Sequence, residues 1–140
     1  MGPLYNMLSN CGGRRTLKSP NIRKVVSQMN NVERAIMSIG GHPHRSCYRD
    51  LCWAIHVEMS HFPEPLQMKF IVAEVCEWTN NRSPKSVWRS IARAVEDLWN
   101  SGDMDVLCSY CHNWRWYRPK PQEFIFVVAL ALRDEALDGE

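Results

Sequence analysis

With 140 residues, 45% of them hydrophobic and six of them tryptophan, the chain has enough apolar surface for one packed domain without a metal or disulfide staple. Its net charge of +2 is too small to hold a polyanion by bulk attraction, so any such binding must come from how the charges are placed. The longest apolar run, residues 124–132, is about half of a bilayer span, and Leu4, Tyr5, Met7 and Leu8 give way at once to Ser9-Asn10-Cys11-Gly12-Gly13-Arg14, so neither a membrane segment nor a signal peptide is expected.

Residues 1–20 combine Gly, Ser and Arg with two prolines and read as a flexible arm; Arg14, Arg15, Lys18, Arg23 and Lys24 follow one another without an acid. The spacing of Ile22, Val25, Val26, Met29, Val32, Ile36 and Ile39 predicts a helix, with the polar pair Asn30-Asn31 as a place where it could divide. Gly40-Gly41 stops it, because glycine supplies the left-handed C-terminal cap. After His42-Pro43-His44, a second helix is predicted over 45–60 with Tyr48, Leu51, Cys52, Ile55 and Met59 inward, and after Pro63 and Pro65 a third over 66–78.

Residues 83–99 then read as a helix with two different faces. Ser83 is a good N-cap and Pro84 suits the first helical position. Val87, Ile91, Val95 and Leu98 form an inward ridge, while Lys85, Arg89 and Arg93 recur every four residues on nearly the opposite side. Solvated helix faces commonly carry Lys and Arg, so the basic row alone says little. Two features add to it: the small residues Ser86, Ser90 and Ala92 between the cations permit a close approach to a groove, and the polar turn Thr79-Asn80-Asn81-Arg82 precedes the helix as in a helix-turn-helix. Glu96 and Asp97 close the row, which leaves the N-terminal half to face DNA.

Ser101-Gly102 ends that helix and Asp103 caps a short one through about residue 111. Residues 114–121 read as an irregular aromatic and basic connection, and 122–136 as a last helix with a buried apolar middle. No segment sustains the alternation of a strand, so the expected fold is all-α with about six helices: a basic arm over 1–20, a helical domain over 21–136 and an acidic tail over 137–140.

Cys108-Ser109-Tyr110-Cys111-His112 matches the spacing of covalent haem attachment, and Cys108 and Cys111 with His112, or with His42 and His44, could make a zinc tetrahedron. A lone Cys pair is weak support for either, and buried thiols on a short amphipathic helix are the reading taken, with no metal and no cofactor expected. His56 and His61 with Glu58 and Glu64 lack the H-E-x-x-H spacing, and a surface turn between Ser60 and Pro65 is the reading taken. No G-x-S-x-G, P-loop or paired-carboxylate arrangement occurs, so no enzymatic activity is expected. Trp114, Arg115, Trp116 and Arg118 could stack on bases or reach phosphates, but aromatics before a final helix more often seal a core.

Three stretches together carry a family resemblance: Ile39-Gly40-Gly41-His42-Pro43-His44 before a Tyr-containing helix; residues 93–105, Arg-Ala-Val-Glu-Asp-Leu-Trp-Asn-Ser-Gly-Asp-Met-Asp; and Lys120-Pro121 leading to Glu123-Phe124-Ile125. In order and spacing, over about residues 30–135, they resemble the C-terminal effector domain of the sporulation initiation response regulator, the bacterial stage zero sporulation protein A family, without its receiver domain. The resemblance implies a six-helix fold containing a helix-turn-helix that binds promoter DNA. It makes 83–99 the recognition helix and 66–78 its supporting helix, with Arg89 and Arg93 at or near basic positions of the family and Arg82 and Lys85 as phosphate contacts. Contacts to RNA polymerase or its sigma subunit and a homodimer on DNA follow from the same resemblance, and a cytoplasmic location is expected from the apolar runs being too short for a signal peptide or membrane segment.

The first expectation is therefore a sequence-specific regulator of transcription. Its affinity for double-stranded DNA would come from Arg82, Lys85, Arg89 and Arg93, and its specificity from Ser86, Arg89, Ser90 and Arg93. Trp88, where the family has a small or charged residue, and the polar stretch 77–81 depart from the family pattern. They carry the other reading, a protein-interaction paralogue that binds a full-length regulator or polymerase without reading DNA.

Overall fold

The computed structural model describes residues 19–62, 64–79 and 82–138. The basic arm through residue 18, Pro63, the Asn80-Asn81 pair and the last two residues lie outside the described residues. Six α-helices follow one another among the described residues: α1 (Ser19–Ile39), α2 (Ser46–Ser60), α3 (Met68–Trp78), α4 (Pro84–Ser101), α5 (Met104–Tyr110) and α6 (Pro121–Asp138), with a 3-10 turn, His112–Arg115, between the last two. Among the described residues there is no strand, and no helix is long and apolar enough to cross a membrane.

α1 runs unbroken through Asn30 and Asn31 instead of dividing there. Asparagine costs a helix no more than about 0.7 kcal/mol. Both side chains are exposed, Arg34 Nη1 donates to Asn31 Oδ1 at 2.9 Å, and the buried seam of Val32, Ala35, Ile36 and Ile39 continues past them. Packing along that seam outweighs the small propensity loss.

The central element is α2, which packs against α1, α3, α4 and α6. Its pattern predicts one inward face, yet Tyr48, Asp50, Leu51, Cys52, Ala54, Ile55, His56, Val57 and Glu58 are all buried, while Met59 is only partly so. His56 and Glu58 therefore belong to the core. Glu58 Oε1 accepts from the Leu66 backbone N–H at 3.0 Å and so ties the end of α2 to the segment entering α3. Trp53 of α2 stacks on Trp78 of α3 with centroids 5.2 Å apart.

Two sequence signals meet at one joint. Gly40 takes φ +114°, and the Gly40 and Gly41 N–H groups donate to Met37 O at 3.0 Å and Ile36 O at 2.9 Å, which closes the end of α1. The freed Ile39 carbonyl accepts from Asp103 N–H at 2.6 Å. A Cβ on Gly102 would lie 2.5 Å from Leu98 O and 2.7 Å from Ile39 O, both backbone atoms, so the contact between α1 and the α4–α5 corner requires glycine there. The Gly40-Gly41 and Ser101-Gly102-Asp103 stretches that carry the resemblance are thus two halves of a packing joint.

Asp103 Oδ1 accepts from Asp105 and Val106 N–H and caps α5. Trp114 is fully buried, stacks on Phe124, donates from Nε1 to Glu123 Oε2 at 3.0 Å and accepts at its carbonyl from Trp99 Nε1 at 2.7 Å. It seals the core under α6, whose Phe124, Ile125, Val128, Ala129 and Leu132 are buried while Leu130 faces out. α6 starts at Pro121 and continues through Asp138, into the stretch read as an acidic tail.

Candidate nucleic-acid interface

α4 is built as its sequence requires. Ser83 Oγ accepts from Ser86 N–H at 3.1 Å, Pro84 occupies the first turn, and Val87, Ile91, Ala94, Val95 and Leu98 are buried against α2 and α3. The opposite face carries Lys85, Arg89 and Arg93, all exposed, and among the described residues none of the three makes an ion pair.

The acids that close this row are both engaged. Glu96 pairs with Arg118 at 3.2 Å. Asp97 Oδ2 accepts from the Tyr48 hydroxyl of α2. Burial, reinforced by the Asp97 carboxylate, holds that hydroxyl well above the ordinary phenol range, so it remains a donor at every physiological pH. The contact fixes the rotation of α4 about its axis, and with it the direction of the basic row.

Arg82 stands apart from the other predicted cations. Its Nη1 and Nη2 donate to Asp50 Oδ1 and Oδ2 at 3.2 and 2.5 Å, and Asp50 is 1% exposed in the body of α2. The guanidinium assigned to a backbone phosphate neutralises a buried carboxylate and anchors the entry to α4. Asp50 is a residue that sequence reasoning passes over, since nothing near it signals a partner at position 82.

Arg82, Ser86, Arg89, Ser90 and Arg93 come together along one wall of an open groove of about 600 Å³, and the start of α2, with Arg45 and Cys47, forms the other wall. Lys85 lies on the same face of α4 but outside the groove. Arg45 has the signature of a helix-preceding cation and nothing more in the sequence; only the packing of α2 on α4 brings it to the basic row. α3 presents Glu74, held by His61 at 3.1 Å, and Glu77 beside the exposed Phe70.

The other candidates do not gather into a site. Cys108 and Cys111 are half-buried, less so than the buried thiols expected, and among the described residues no three His, Cys, Asp or Glu side chains converge on a point that could hold a metal. Arg115 and Arg118 are engaged with Asp105 at 3.7 Å and with Glu96, while Trp116 is exposed. Compared with protein-family models, with curated proteins and with solved structures, the chain matches none.

Proposed function

We propose that the protein is a sequence-specific DNA-binding regulator of transcription of the sporulation-initiation effector type, with α4 as the recognition helix of a helix-turn-helix formed with α3. The observation that supports this most is the exposed row Lys85, Arg89 and Arg93, without an ion pair among the described residues, on a helix whose opposite ridge is wholly buried. An α-helix about 10–12 Å across fits a major groove about 12 Å wide. α3 and α4 pack on one another and are joined through residues 79–83, slightly longer than the commonest turn of such motifs. Contacts with RNA polymerase and pairing of two copies on an operator belong to the same proposal.

Within this reading Arg89 and Lys85 behave differently. Arg89, in the N-terminal half of α4, reads a guanine edge, and its loss is expected to remove about 1–3 kcal/mol of discrimination. Lys85→Ala weakens all duplexes alike, because a phosphate contact carries no sequence information. Fluorescence anisotropy on a selected and an unrelated duplex separates the two, and both variants binding as the parent does would take α4 out of the interface.

A second reading rests on Trp88, which is 44% exposed on the flank of α4, and on the exposed Trp116 and Tyr117. Exposed aromatics of this kind favour a protein-interaction module that docks on a regulator or polymerase. Such an interface responds little to salt, in contrast to a duplex.

A further inference from the structure

Arg45, Arg89 and Arg93 face one groove from two different helices, and among the described residues no acid forms an ion pair with any of them. Of the carboxylates nearby, Asp50 is matched by Arg82 and Asp97 accepts from the Tyr48 hydroxyl. Three like charges held around a common space repel one another, and an anion entering that space relieves the repulsion.

The placement of Arg45 decides which part of a nucleic acid it meets. Packed helices lie about 8–10 Å apart axis to axis, whereas half the width of a major groove is about 6 Å. With α4 centred in the groove, a residue at the start of α2 falls beyond the base edges, over the sugar-phosphate backbone that borders them. The backbone of Arg45 is fixed for this: its N–H donates to His42 O and its carbonyl accepts from Arg49 N–H, both at 2.9 Å, while its side chain is exposed and makes no capping bond.

Resting on the reading of α4 as a recognition helix, we propose that the α2–α4 groove is a phosphodiester clamp in which Arg45, with Arg93 opposite, holds the backbone of the strand bordering the bases that Arg89 contacts. The clamp is indifferent to sequence and sets the register in which α4 is read.

The test compares the parent, Arg45→Ala and Arg89→Ala by anisotropy on a selected duplex and an unrelated duplex over a range of NaCl concentrations. Arg45→Ala is expected to bind both duplexes roughly three- to tenfold more weakly, with the slope of log K against log[NaCl] shallower by about 1 and an unchanged preference. Unfolding midpoints should match the parent, as the exposed side chain makes no contact that folding relies on. A second measurement needs no substitution: Cys47 lines the groove and is half-buried, so bound duplex should slow its alkylation by iodoacetamide while Cys108 and Cys111 on α5 keep their rates. If Arg45→Ala titrates like the parent while Arg89→Ala loses affinity, the clamp is overturned and the recognition helix stands. Unslowed alkylation of Cys47 in saturating duplex overturns the clamp in the same way, and a parent that binds neither duplex overturns both.

Discussion

Arg82→Ala is expected to destabilise the protein by about 3 kcal/mol, because it removes one partner of a buried ion pair and leaves the other charged. Asp50 is 1% exposed and both of its oxygens take their hydrogen bonds from the one guanidinium, so alanine at 82 strands a carboxylate inside α2. Arg82 itself keeps 36% of its side chain in contact with solvent, which places the effect at the lower end of the range for such pairs. The double replacement Asp50→Leu with Arg82→Met should recover most of the loss, since an apolar pair of similar volume needs no counter-charge. Urea unfolding of the three variants checks this. If Arg82→Ala unfolded at the parent's midpoint, Arg82 would be free for a phosphate as its sequence position suggests.

The second large effect is on acid stability. His56 is buried, its ring T-shaped to that of Trp53 with 5.7 Å between centroids, and among the described residues its Nδ1 has no partner; burial lowers its pKa from 6.5 to about 4. The unfolded chain takes up this proton near pH 6.5 and the folded chain only near pH 4, so stability is complete above 6.5 and is lost as pH falls through that window. His56→Leu, close in volume and without a titrating group, should match the parent at pH 7 and exceed it by about 2 kcal/mol at pH 5. Glu58 runs the other way: burial raises its pKa, so its contribution is full at low pH and falls as pH rises through the raised value. Other titrating groups are common to both proteins and cancel in the difference. Equal pH dependence of parent and His56→Leu in urea titrations would show that His56 takes up its proton as readily in the folded chain as in the unfolded one.

The limits of the sequence follow the same physics. Local signals were legible where a residue acts on its own neighbours: Ser83 with Pro84 opens α4, Asp103 caps α5, and Gly40-Gly41 ends α1. The ridge Val87, Ile91, Val95 and Leu98 is buried as its spacing predicts. Asn30-Asn31 suggested a division because propensity is visible in sequence, whereas the seam that carries α1 across it depends on packing. Asp50 and Glu58 were illegible as buried groups, since their partners Arg82 and Leu66 lie 32 and 8 residues away. For the same reason the basic row on α4 could be read, but not that Arg82 is engaged elsewhere or that Arg45 joins the row from another helix.

The central claim is that α4 turns its unpaired cations to a duplex. Its most direct test is the salt dependence of binding to whatever fragment the purified protein enriches from random duplex DNA. Three phosphate-facing cations, Lys85, Arg93 and Arg45, predict a slope of log K against log[NaCl] of about −3. Enrichment of no fragment, or a slope near zero, would contradict the account and give the exposed face of Trp88 to a protein partner.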